Sequence, residues 1–219
     1  MKTIPWGRIV KALETWRRDL GDPSVTTVAE QYSRDPWAVL VSTILSLRTK
    51  DEVTLAASAR LLKQAGSPAA LYQLGEEAIA ALAYPAGFYR TKASNLKKIA
   101  AILLEQYGGR VPADMEALLA LPGVGRKTAN LVLIEAFDLP GICVDVHVHR
   151  ICNRAGWIAT KNPEETETVL RACLPRQYWK GINALLVLYG QQTCRPLSPH
   201  CSRCVITPYC RQNGVAKSR

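Results

Sequence analysis

The sequence predicts an all-α protein. Three observations carry this. Apolar residues recur at helical spacing in segment after segment. Pro, Gly, Asp and Asn stand where helices start and stop. No stretch alternates between apolar and polar residues as a half-buried strand does. The chain shows neither an internal repeat nor a low-complexity segment.

Taken in order, residues 5–20 place Ile9, Val10, Leu13, Trp16 and Leu20 on one face. Asp35 and Pro36 supply an N-cap and a first helical position, for a helix through Leu47. The next helix spans 51–65 and stops at Gly66 and Pro68. A short helix over 75–84 stops at Pro85, and the longest runs from about 91 to 107, ending at Gly108-Gly109. Helices over 113–120 and 126–138 flank a tight turn. Pro140-Gly141 separates them from 143–155. Asn162-Pro163 with Glu164 and Glu165 opens a helix over 163–173, and a last one covers 179–191.

At 219 residues the chain suits one large or two small domains, and at 48% hydrophobic it can bury a core. Its formal net charge of +10 points to an anionic partner. The first residues do not read as an export signal. The longest apolar-rich run, "WAVLVSTILSL" (37–47), is too short to span a bilayer and carries Ser42, Thr43 and Ser46. A soluble, cytoplasmic, monomeric protein with no membrane role is expected.

Of seven cysteines, Cys143, Cys152 and Cys173 lie in apolar helical stretches and read as small core residues. The other four, Cys194, Cys201, Cys204 and Cys210, crowd together near the end. Without an export signal they ask for a metal rather than disulfides. Four thiolates suit a tetrahedral zinc or a [4Fe–4S] cube, and spacing alone does not decide between the two.

"LPGVGRKTAN" (121–130) reads as helix, tight hairpin, helix. Gly123 and Gly125, on either side of Val124, let the backbone take φ > 0 and approach another molecule closely. Outward N–H groups beside a helix start suit a phosphate. Arg126 and Lys127 follow at once. In "VDVHVHR" (144–150), Asp145 stands at a helix start, where the macrodipole favours a carboxylate. Taken singly, Lys127 is a surface cation, Asp145 a cap, and His147 and His149 packed or solvated histidines. Together near a phosphate site, the amine and the carboxylate offer sugar chemistry. A nucleobase that departs leaves positive charge at C1′, which a carboxylate stabilises and an amine captures. The amine must be neutral to attack, and an ordinary lysine is so in only about one molecule in a few thousand at pH 7.

The two motifs and Cys-x6-Cys-x2-Cys-x5-Cys, in this order, resemble endonuclease III, the bifunctional DNA glycosylase and AP lyase family of the helix-hairpin-helix superfamily. The resemblance runs from about "DPWAVLVSTILS" to the cysteines. It implies a two-lobed fold. One lobe, 29–139, is a six-helix bundle carrying the helix-hairpin-helix motif at about 113–138. The other joins 1–28 to 140–219 and holds a [4Fe–4S] cluster within 194–210, on Cys194, Cys201, Cys204 and Cys210. It implies a substrate groove between lobes, Lys127 as the Schiff-base nucleophile and Asp145 as the essential carboxylate. Gly123, Val124, Gly125 and Arg126 are then the phosphate-gripping hairpin. Arg48, Phe88 and His147 match positions that enter the duplex where the base flips out, and Arg195, in the cluster loop, is a further DNA-binding residue. The partner implied is double-stranded DNA with a damaged base or abasic site. The family commonly has Gln where this chain has Arg48, and "RPLSPH" (195–200) is less basic than usual. The activity implied is removal of oxidised pyrimidines with β-elimination. The alternatives are a superfamily glycosylase for mismatched or alkylated bases, and a non-catalytic iron–sulfur DNA-binding protein, which would need neither Lys127 nor Asp145.

Overall fold

The computed structural model describes residues 4–219. It is helical, with no strand among the described residues. The chain divides into two compact units, Pro23–Leu139 and a second formed by the stretch up to Asp22 together with Pro140–Arg219.

The continuous unit holds α2 (Ser24–Gln31), α3 (Pro36–Ser46), α4 (Asp51–Gln64), α5 (Pro68–Gln73), α6 (Glu76–Ala83), α7 (Tyr89–Tyr107), α8 (Met115–Leu119) and α9 (Arg126–Phe137). Every residue of α3 from Trp37 to Leu45 is buried, so this helix is the core. It packs against α2, α4, α7 and α9. Its start follows from sequence: Asp35 accepts the Ala38 N–H at 2.8 Å and Pro36 takes the first turn. The Trp37 indole donates to Ala65 O at 2.9 Å, satisfying the polar atom of a buried ring.

Two helices were not anticipated. In α2, Pro23 precedes "SVTTVAEQ", whose β-branched residues obscure a stripe of Val25, Val28 and Ala29 that is buried against α3, α4 and α9. This packing puts the start of the unit at Pro23 rather than at residue 29. The six-residue α5 is capped by Ser67, which accepts from Ala70 N–H at 3.2 Å.

The discontinuous unit holds α1 (Trp6–Arg17), α10 (Val146–Arg154), α11 (Pro163–Cys173) and α12 (Trp179–Gln192), with single 3₁₀ turns at Arg176–Tyr178, Cys201–Arg203 and Thr207–Tyr209. Ile9, Val10 and Leu13 of α1 meet Ile182, Leu185 and Leu186 of α12 in one core. Edge-on ring pairs, Trp6 with Trp157 at 5.2 Å and Trp16 with Tyr189 at 4.7 Å, close it. Helix α10 starts at Val146 rather than 143, because Asp145 caps it and the buried Ile142–Val144 before it are not helical. Cys143 and Cys152 are buried, whereas Cys173, at the end of α11, is exposed and is no core residue. No described helix is long and apolar enough to cross a membrane.

Candidate functional site

In the continuous unit, α8 and α9 enclose the hairpin. Val124 N–H closes it onto Leu121 O at 3.1 Å, and Val124 and Leu121 are both buried beneath it. Gly123 has φ +75°, and a side chain there would press into the Asn95 amide. Gly125 differs from expectation. Its φ of −100° is open to any residue, but a β carbon there would meet nothing. Gly125 therefore contributes open space rather than a special conformation. As the N-cap of α9 it has no side chain to bond the first N–H groups, which leaves the positive helix start for another acceptor. Arg126 is exposed and Lys127 half-buried, on the first turn.

Two further loops of this unit meet. Helix α3 ends at Ser46, and Arg48 follows, exposed, at φ +53°. Phe88, 63% exposed, precedes α7 at φ +56°. The Arg48 guanidinium lies 5.5 Å from the Phe88 ring centre. Gly87 brings the loops this close: its N–H donates to Thr49 Oγ1 at 3.0 Å, and a side chain there would strike the Arg48 carbonyl oxygen. Beneath them lies Lys92, 5% exposed. Its ammonium donates to Leu45 O at 2.8 Å, Leu47 O at 2.6 Å and Thr49 Oγ1 at 2.9 Å. Burial pushes this amine down to about 8, while the three oxygens hold its protons. Lys92 escaped the sequence reading. The available signal was its place in the buried α7 stripe with Leu96, Ile99 and Leu103.

In the discontinuous unit, Asp145 is 8% exposed and caps α10. His147 N–H (2.8 Å) and Val148 N–H (2.9 Å) both donate to its Oδ1. His147 Nδ1 pairs with Arg150 Nη2 at 3.1 Å, and Gly190 leaves room for both side chains. His149 is tied to Thr166 Oγ1 at 2.7 Å and is a packing residue. Arg150 reaches Cys194 O at 2.9 Å. Arg154, 9% exposed, donates to Arg195 O at 2.7 Å and Pro196 O at 2.9 Å, so α10 holds the first cysteine loop. Arg195 itself is exposed.

Cys194, Cys201, Cys204 and Cys210 line one cavity with Ile151, Ile206 and Val215. Each sulfur has a hydrogen-bond partner from a different place in the chain. Arg154 Nη1 lies 3.3 Å from Cys194 Sγ, Tyr189 OH 3.1 Å from Cys204 Sγ and Gln212 N 3.4 Å from Cys210 Sγ, and the Ser218 side chain bonds Cys201. Among the described residues, no group of three or more His, Cys, Asp or Glu stands close enough to hold a metal ion. Arg154 and Tyr189 also escaped the sequence reading, which had no cue that they face the cysteines.

The family profile described as "HhH-GPD superfamily base excision DNA repair protein" matches residues 41–176, a span that includes both Lys127 and Asp145. The chain belongs to the HhH-GPD superfamily. Within it, the chain is similar to endonuclease III of Thermotoga maritima, 47% identical over 188 residues that cover 84% of this chain and 88% of that one. Endonuclease III of Escherichia coli is 41% identical over 189 residues, 86% and 89% of the two chains. The chain spans about half (47%) of the chloroplastic endonuclease III homolog 2 of Arabidopsis thaliana, at 50% identity over 182 residues. Two solved structures resemble it over 97% of each chain: a non-covalent endonuclease III–DNA complex (TM-score 0.85, 30% identity) and a trapped endonuclease III–DNA covalent intermediate (TM-score 0.84, 29% identity). The all-α fold is therefore that of HhH-GPD proteins.

Proposed function

We propose that this base-excision-repair glycosylase removes oxidised pyrimidines from duplex DNA and nicks the abasic strand by β-elimination, acting as a monomer in the compartment that holds the DNA. The observation that carries the reading is a lysine on the first turn of a helix whose N-cap is a glycine facing open space. That start suits a phosphate of the damaged strand. Lys127, one residue further on, is the proposed nucleophile. Its neutral amine attacks C1′ and the C1′–base bond breaks. The C1′–O4′ bond of the sugar ring then opens, O4′ taking a proton, to leave a base-free Schiff base at C1′, and loss of the C2′ proton expels the 3′ phosphate. The trapped endonuclease III–DNA covalent intermediate supports a covalent step in the reaction. Asp145 is the proposed carboxylate. Its Oδ1 is committed to the helix cap, which leaves Oδ2 as the oxygen proposed to stabilise the positive charge that develops on the sugar.

The four cysteines are the proposed ligands of a [4Fe–4S] cluster. A single zinc needs four sulfurs each about 2.3 Å from one centre. Their gaps of six, two and five residues depart from the paired short knuckles of zinc modules, all four line one cavity, and hydrogen bonds to sulfur favour thiolates. When bound, the cluster braces the loop that carries Arg195. Iron analysis should give about four irons per chain. One zinc and no iron would overturn the assignment.

The decisive experiment is borohydride trapping on abasic duplex DNA. Wild type should become covalently linked. Lys127→Gln should lose trapping and nicking entirely while still binding DNA. Asp145→Asn, which removes charge with little volume, should lose base excision while the cap bonds persist. Full trapping by Lys127→Gln would refute the assignment.

A further inference from the structure

Lys92 has no part in the chemistry above, yet it is buried and held by three bonds. An ammonium has three N–H donors, and all three are used: on Leu45 O, on Leu47 O and on Thr49 Oγ1. None is left for a substrate. Two of these acceptors are carbonyls at the end of α3, which no helical N–H reaches. The third links onward, since Thr49 Oγ1 also accepts the Gly87 N–H. One buried ammonium thus joins the turn carrying Arg48 to the turn carrying Phe88.

Both exposed residues need such support. Arg48 and Phe88 each hold a left-handed backbone, a conformation unfavourable for a side-chain-bearing residue unless its surroundings impose it. Their stacked side chains gain little at an exposed site. The fixed geometry must therefore come from below. We propose that Lys92 is the positioning residue that holds Arg48 and Phe88 as one rigid wedge, ready to fill the gap a flipped nucleotide leaves in the duplex. The inference rests on the glycosylase reading, in which flipping precedes chemistry. A wedge that is already ordered adds no ordering cost at insertion. Were the loops loose, each would have to be fixed while the base leaves the stack.

The test separates this role from plain helix capping and from failure of the glycosylase reading. 2-Aminopurine is placed opposite a tetrahydrofuran abasic analogue in duplex DNA. Its fluorescence on binding full-length protein reports unstacking by the wedge and needs no catalysis. Single-turnover excision of thymine glycol is followed in parallel. Phe88→Ala should abolish most of the fluorescence rise and slow excision at least tenfold. Lys92→Met should do the same. The double variant should be no worse than either single one, because both changes remove one unit. Thr49→Val removes the hydroxyl that accepts from both Lys92 and Gly87 N–H and itself donates to Leu47 O, but it keeps the two carbonyl bonds of Lys92, and it should show a smaller loss of about threefold that also disappears in the Phe88→Ala background. If Lys92→Met does not fold, the Thr49→Val and Phe88→Ala pair decides. Multiplying effects, or a wild-type fluorescence rise in either Lys92→Met or Thr49→Val, would overturn the positioning role. A wild type that gives the fluorescence cycle yet excises no base would instead overturn the glycosylase reading and leave the wedge standing.

Discussion

The hairpin at 121–125 and the paired turns around Arg48 and Phe88 belong to the same unit and present exposed residues, but they are built in opposite ways. The hairpin is local. One bond from Val124 N–H to Leu121 O, one glycine at positive φ and two short helices define it. The paired turns are joined across the chain, by bonds between residues 38 to 47 positions apart. The difference teaches where rigidity originates. A local turn is fixed by the conformations its residues can adopt. A non-local pair of turns, each with a non-glycine residue in a left-handed conformation, is fixed only when a buried polar group spans them.

Three changes probe that contrast, from the largest effect to the smallest. At the hairpin, Gly123→Ala should cost at least about 1–2 kcal/mol of stability, the penalty for a left-handed alanine with the push of its methyl into the Asn95 amide added, seen as a lower urea midpoint. Gly125→Ala, at an ordinary φ, should cost less than about 1 kcal/mol yet weaken DNA binding, because the new methyl fills space kept for a phosphate. Equal stability losses in the two variants would mean that both glycines serve conformation. At the paired turns, Arg48→Gln should shrink the preference for lesions opposite guanine over adenine. Arginine donates two bonds to guanine O6 and N7, a contact worth about 1–3 kcal/mol, while glutamine both donates and accepts. Single-turnover excision opposite each base measures the ratio. If Arg48→Gln weakens binding to every duplex equally, Arg48 is a phosphate clamp instead.

A further effect is on stability against pH. Burial lowers Lys92 from 10.5 to about 8. Between those values the unfolded chain keeps the proton that the folded chain gives up. The stability this residue contributes is then fully present above 10.5 and is lost as pH falls toward 8. Urea midpoints of wild type relative to Lys92→Met should therefore rise from pH 8 to pH 10. A flat difference would mean that the three oxygens hold the ammonium charged throughout.

The sequence was most legible where structure is local. Asp35-Pro36, Asn162-Pro163 and Gly108 mark helix ends within a residue or two, because caps act on the adjacent turn. Asp145 was readable as a cap for the same reason, and the hairpin from its glycines. What escaped depends on distant partners. Lys92, Arg154 and Tyr189 look like ordinary members of amphipathic helices until α3 or the cysteine loops arrive opposite them. Gly125 looked like Gly123 because sequence does not reveal φ. Cys173 looked like Cys152 because both follow apolar helical residues, yet one ends its helix at the surface.

The order of the two units along the chain also sets an order in time. Residues 23–139 are contiguous, so that unit has all its parts once Leu139 has been made. Helix α1 is synthesised before that unit, but the helix it packs on, α12, is complete only at Gln192. At about 5–20 residues per second, those further ~50 residues take roughly 3–10 s. Through that interval Trp6, Ile9, Val10 and Leu13 lack the core that buries them. The ribosome-bound chain thus carries a finished bundle behind an unpaired apolar helix, and that helix is where a chaperone would find its grip.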